Sequence, residues 1–270
     1  TAILHPELKD DLLAVCIDTG ALRMGELEQI KKVAQIIGVK LKVIKATRQF
    51  QKVLNKTIDA EAKRKKFAGV YARILKEVAK QSGAVIIQGS LATDFIESGK
   101  AGKAIKIKSH HNVGLAGLHP LNSFFKYEIR DLAHEVGLPK QVRERQPFPG
   151  PGLFIRIIGA PVTFAKLSIV RWADMKVTNI VKKAGIYDEI SQLIVALDCS
   201  LTVGIKGDGR VYGFAVIVRA VKTSDFMTAE GFQLPAEVRR EISTILTQHP
   251  KVVRVYFDET NKPPATTELE

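Results

Sequence analysis

Asp94 and Glu97 stand three residues apart in the run Leu91 to Ser98, and Lys106, Lys108, His110, His111 and Asn112 form a donor cluster shortly after. On a helix that spacing puts both carboxylates on one face, and paired carboxylates beside a phosphate commonly hold Mg²⁺. A solvated first turn favoured by the helix dipole explains the same pair. Two adjacent histidines with no further ligand nearby are poor zinc spacing. A lysine beside a histidine instead offers charge and a proton to a phosphate or a leaving oxygen; alone, the cluster reads as a surface run.

Two stiff segments carry further charge. Pro147-Phe148-Pro149-Gly150-Pro151-Gly152 follows Arg143 and Arg145, and Lys262-Pro263-Pro264-Ala265-Thr266-Thr267-Glu268 lies near the end. Proline fixes φ and removes a donor, and glycine permits unusual backbone, so neither segment reads as helix or central strand. Rigid loops with placed charges suit a polar small-molecule site; a connector and an ordered tail are the plain alternatives. Gly207-Asp208-Gly209-Arg210 sits between apolar runs and reads first as a hairpin turn.

The elements that must hold these residues follow from apolar spacing. Leu12 to Ile17 is a short buried strand ending at Asp18-Thr19-Gly20, Gly25 to Gly38 a helix, and Leu41 to Ile44 a second strand. Ala60 to Gln81 is a long charged helix, and Ala84 to Ile87 a third strand ending at Gln88-Gly89-Ser90. Alternating strands and helices imply a parallel sheet with ligands beyond its carboxyl ends, where Asp18, Gln88 and Ser90 would lie. After Gly152 the pattern changes. Leu153 to Ile158, Gln192 to Leu197, Thr202 to Lys206, Val211 to Val221 and Val252 to Phe257 read as strands, and Val162 to Ala184 and Ala236 to Thr247 as helices. Clustered strands with two helices indicate a small α+β domain, with the boundary near residue 150.

The chain has 270 residues, enough for one large or two modest domains, and a formal net charge of +13. Nucleic acid and anionic nucleotides both fit that excess. No run interleaves aromatic and basic residues as a stacking platform would. No stretch of 18 apolar residues and no basic-then-apolar leader is present, so no membrane span is expected. Cys16 and Cys199, each in an apolar run, read as buried free thiols in a reducing cytosol. The expected location is therefore cytoplasmic.

Taken in order, Gln88-Gly89-Ser90, Asp94, Ile96-Glu97-Ser98, Lys108-Ser109-His110-His111-Asn112, Arg145 to Leu153, Gly207 to Arg210, Asp225 to Ala229 and Lys262 to Glu268 resemble the synthetase part of the GMP synthase family. The similarity runs from about Leu12 to the last residue, and the Pro/Gly segment and Lys-Pro-Pro tail are its most specific parts. It implies an α/β fold: a parallel-sheet, adenine nucleotide α-hydrolase-like ATP-pyrophosphatase domain over residues 1–149, then a small α+β dimerisation domain over 150–270. The implied reaction is amination of xanthosine monophosphate (XMP) to GMP, using ATP and ammonia through an adenylyl-XMP intermediate.

By position in the family's motifs, Lys108, His110, His111, Asp94 and Glu97 are expected to be catalytic, the last two holding Mg²⁺. Asp18, Gln88 and Gly89 are expected at ATP. Arg64, Arg145, Gln192, Asp208, Arg210, Lys262, Thr266 and Glu268 are expected at XMP. A glutaminase subunit or domain is the implied ammonia source, and a homodimer the implied assembly, with no nucleic-acid or membrane partner. The family's Ser-Gly-Gly-Val-Asp-Ser phosphate loop is not found in these residues; the chain is expected to start just beyond it. Gln146 stands where many relatives have histidine. The missing amidotransferase domain resembles the two-subunit arrangement seen in archaea. Two other readings remain: a tRNA-modifying ATP-pyrophosphatase, which would bind RNA salt-sensitively, and a non-catalytic nucleotide-binding relative.

Overall fold

The computed structural model describes residues 1–97, 117–143, 145–224 and 227–270. The chain forms two compact units, Thr1–Leu54 with Glu61–Arg145, and Asn55–Ala60 with Gln146–Glu270. The changeover thus falls between Arg145 and Gln146, four residues before the expected boundary, and a short earlier segment belongs with the second unit.

In the first unit, α1 (His5–Leu8), β1 (Ala14–Asp18), α2 (Glu26–Ile37), β2 (Leu41–Lys45), α3 (Thr47–Leu54), α4 (Ala60–Ser82), α5 (Ala92–Glu97), α6 (Lys126–Glu135) and α7 (Lys140–Arg143) follow in order. β1 and β2 pair in parallel from Ala14↔Leu41 to Asp18↔Lys45, as a strand–helix–strand crossover requires. The expected third strand at residues 84–87 contracts to one parallel bridge, Ile87↔Leu118, closed by Leu118 N–H to Ile86 O at 2.8 Å and Gln88 N–H to Leu118 O at 2.9 Å. Among the described residues it gains no longer ladder, and Val85 stays 70% exposed. Phe50 and Phe67, with ring centroids 4.8 Å apart, join Leu54, Val70 and Ile74 in the core.

The second unit holds β3 (Ile157–Ile158), α8 (Phe164–Lys183), β4 (Gln192–Lys206), β5 (Gly209–Lys222), β6 (Glu230–Gly231), α9 (Ala236–Thr247) and β7 (Val252–Asp258). The sheet runs β3-β4-β5-β6, with β7 parallel to β5. Residues 153–156, expected as strand, instead form a 3₁₀ turn at Gly152–Arg156, entered through Gly152 at φ +61°. The strands expected at 192–197 and 202–206 are one strand, bulged between Asp198 and Thr202, in a single hairpin with β5. Gly207, at φ +58°, makes the tight turn at its tip.

α8 starts at Thr163, whose Oγ1 accepts from Lys166 N–H at 3.3 Å. It buries Leu167, Val170, Ala173 and Val177, and α9 buries Val238, Ile242 and Leu246. Cys16 and Cys199 are half-buried rather than fully buried.

Candidate functional site

The Pro/Gly segment and the tail meet at one buried cation in the second unit. Arg156 is 1% exposed. Its Nε and Nη2 donate to Glu268 Oε2 and Oε1, both at 3.1 Å, and its Nη1 donates to Asp174 Oδ1 at 3.0 Å. Phe148 lies 5.1 Å from the guanidinium carbon, at cation–π range. Gln192 completes the grip: its Nε2 donates to Glu268 Oε1 at 2.7 Å. A paired guanidinium fork fixes the plane of the Glu268 carboxylate as well as its position. Arg156 thus pairs with both Asp174 and Glu268.

The tail is held along its length. Lys262 pairs with Ala229 through both backbone groups, at 2.8 and 3.0 Å, and is followed by cis peptide bonds to Pro263 and Pro264. Leu269 packs on Ile194, Val221 and Ala229, and Gly159 N–H donates to Glu270 Oε1 at 3.2 Å. Arg219, in the middle of the sheet and fully buried, donates to Asp258 and to tail carbonyls. Burial by itself would raise the Asp258 carboxyl, but hydrogen bonds from Thr260 and the Arg219 guanidinium outweigh it and hold the group below its ordinary range.

Gln146 is buried, and its side chain takes the place of a missing turn of secondary structure. Its Nε2 donates to Ile190 O at 2.9 Å, and its Oε1 accepts from Leu193 N–H at 2.9 Å. Gln146 therefore braces the start of β4, next to Gln192.

Asp208 and Arg210 lie apart from this cluster. They are exposed at the hairpin tip, whereas Gln192 opens β4 and pairs with Val221 at the base. At about 3.3 Å per residue the two ends of the ladder are on the order of 40 Å apart. Within one chain Asp208 and Arg210 are therefore not beside Gln192 and Glu268. The cause is the continuity of the hairpin, which the bulge bends without breaking. Thr266 is exposed, with its carbonyl held by Arg219.

In the first unit the loop after β1 is tied to itself. Asp18 Oδ1 accepts from Gly20 N–H at 3.0 Å, and Thr19 Oγ1 from Ala21 N–H at 3.1 Å. Glu26, buried, accepts from Arg23 N–H at 2.9 Å and from Arg145 Nη2. Arg145 is thus paired within this unit. The Cys16 thiol behind the loop is pushed up by burial and by the Asp18 and Glu26 carboxylates.

At the other strand end Gln88 is buried, Gly89 exposed and Ser90 fully buried, with His119 Nδ1 3.1 Å from Ser90 Oγ. Asp94 Oδ2 accepts from Leu91 N–H at 2.8 Å, closing the turn that starts α5. Arg64 is half-buried on α4. Lys108, His110, His111 and the Glu97 side chain lie outside the described residues. Among the described residues no group of three His, Cys, Asp or Glu side chains could hold a metal. Of the two expected Mg²⁺ carboxylates, Asp94 is the one whose side chain is described, and its Oδ1 is not used by that turn.

The GMP synthase C terminal domain family matches residues 179–269. The GMP synthase [glutamine-hydrolyzing] of Thermus thermophilus is 40% identical over 279 residues, covering 100% of this chain and 55% of that protein. That of Halothermothrix orenii is 41% identical over 281 residues, with the same coverage. A GMP synthase [glutamine-hydrolyzing] subunit of Methanocaldococcus jannaschii is 41% identical over 278 residues, covering 99% of this chain and 87% of that one. The chain belongs to the GMP synthase family. It spans about half the length of the longer GMP synthases it matches (55% of the Thermus protein) and most of the Methanocaldococcus one. A solved structure of NMN synthetase from Francisella tularensis overlaps 62% of the chain at 15% identity and TM-score 0.44, a likeness too loose to bear on function.

Among the clustered residues, Gln192 and Glu268 are those the family resemblance points to; Arg156, Asp174, Arg219 and Asp258 are not. Their signal was present nonetheless. Each arginine interrupts an apolar run, Leu153 to Ile158 and Val216 to Val221, where a charge must find partners.

Proposed function

We propose that this chain is the synthetase part of a GMP synthase, aminating XMP to GMP at the expense of ATP with ammonia from a glutaminase. The observation that carries the reading is the convergence of the tail carboxylate of Glu268 on Gln192 and Arg156. A carboxylate held in a fixed plane suits the N–H donors of a xanthine edge. Lys262, in the same tail, is the cation proposed for the XMP phosphate.

In this mechanism the xanthine O2 attacks the α-phosphorus of ATP. A new O–P bond forms and the bond to pyrophosphate breaks. Adenylylation makes the C2 oxygen a good leaving group; ammonia then forms the C2–N bond, AMP departs with the oxygen, and a proton is released. The residues of the second unit would bind the base and orient it for that attack. Asp18, Gln88 and Gly89, at the strand ends of the first unit, are proposed to line ATP. Lys108 with His110 or His111 is proposed to stabilise the pyrophosphate charge. Mg²⁺ is proposed only as the partner of ATP, with Asp94 and Glu97 as its candidates.

Asp208 and Arg210 would join such a site only from a second copy. A homodimer through the hairpin is therefore part of the proposal. Ile205, 80% exposed, follows Val203, which opposes the 62% exposed Tyr212 across the ladder, giving the outer hairpin an apolar strip. Residues 1–149 and 150–270 keep the roles of nucleotide and dimerisation domains, with the change of unit at Arg145.

The test uses the full-length protein with XMP, ATP, Mg²⁺ and ammonium. GMP, AMP and pyrophosphate should appear in equal amounts, and omission of XMP should stop all three. Pyrophosphate release driven by a tRNA pool in place of XMP would favour the RNA-modifying reading.

A further inference from the structure

We infer that Arg219 is a positioning residue for the purine site: it sets the backbone of the tail so that the next residue, Glu268, presents its carboxylate in the orientation the ligand needs. The inference rests on the XMP reading above. Arg219 lies on β5, between β4 and β7, and is 0% exposed. Its Nε donates to Thr267 O at 3.2 Å and its Nη2 to Thr266 O at 3.3 Å. Its Nη1 donates to Thr260 O at 2.7 Å and to Asp258 Oδ2 at 3.0 Å. One side chain therefore ties the end of β7, the turn after it and two successive tail carbonyls.

A buried guanidinium is an expensive way to fill the centre of a sheet, since an apolar side chain of similar volume commonly serves stability as well or better. What an apolar side chain cannot do is hold three carbonyls whose chain would otherwise be free to choose its path. The last of them, Thr267 O, is one peptide unit from Glu268, whose carboxylate must meet Arg156 and Gln192 together. Lysine would keep the charge opposite Asp258 but has a single donor nitrogen, so it cannot span carbonyls on both sides of the tail.

The experiment compares the full-length parent, Arg219→Lys and Asp258→Asn by steady-state kinetics and by hydrogen exchange of the tail without ligand. For Arg219→Lys the KM for XMP should rise tenfold or more, with the KM for ATP within twofold of the parent. Residues 262–270 should exchange faster while β4 and β5 keep their protection. Asp258→Asn, which weakens one of the four contacts, should show the same pattern more weakly; it decides the question if the lysine variant does not fold. Tail exchange and XMP requirement both unchanged in the variants would overturn the inference. Equal losses for XMP and ATP would overturn it too, by making the role one of general stability. A parent that does not respond to XMP at all would instead defeat the functional reading, because tail exchange is read without ligand.

Discussion

At Glu268 a single carboxylate is held by a guanidinium fork on one side and an amide on the other. Glutamine at this position keeps the shape and an acceptor for Gln192 but removes the charge that answers Arg156. Glu268→Gln should weaken XMP binding by about tenfold, or about 1.4 kcal/mol, and leave ATP binding unchanged, as titration calorimetry with each nucleotide would show. Asp258 gives a second prediction with a definite sign. Its folded-state pKa lies below its ordinary value of 3.8, so its contribution to stability is present above that value and lost as pH falls through the lower one. Melting temperatures taken from neutral pH down to about pH 3 should fall less steeply for Asp258→Asn than for the parent. An equally steep fall in the variant would mean that Asp258 is not a source of the acid sensitivity.

The β4–β5 hairpin is the element that decides where the site is and is not. Its ladder passes beneath the loop before β7 only because Gly213 lacks a side chain: a Cβ there would come within 2.8 Å of Lys251 O. Gly213→Val should therefore destabilise the second unit by about 1–3 kcal/mol in denaturant titration, the usual penalty for overpacking. A loss below about 0.5 kcal/mol, the level of a neutral surface change, would contradict the close crossing. The sequence made the long periodic helices, the first parallel pair and the hairpin turn legible, since each has a strong local pattern. It failed where the decision was not local. The apolar run 153–158 reads as a strand, but its first half coils into a 3₁₀ turn after Gly152. Two strands separated by a polar stretch were one strand with a bulge. Arg156 and Arg219 carry no motif signal, because an isolated arginine matches none.

Across the whole chain the charge is unevenly shared. Lys and Arg outnumber Asp and Glu by 25 to 14 in the first unit and by 16 to 14 in the second. Nearly all of the +13 thus lies in the unit proposed to hold ATP, where a polyphosphate would use it. The apolar outer hairpin belongs to the other unit and is the proposed seat of assembly. Ile205→Asp should convert the proposed dimer to monomer in sedimentation velocity, and with it lower XMP turnover, if Asp208 and Arg210 act across copies. A monomeric variant with full turnover would confine the site to one chain.

The most direct measurement is the reaction itself, in the full-length protein supplied with ammonium so that no glutaminase is needed. With XMP present, ATP should be split to AMP and pyrophosphate in step with GMP, and Glu268→Gln should demand far more XMP for the same rate. Pyrophosphate release indifferent to XMP, or an unaltered XMP requirement in that variant, would contradict the account.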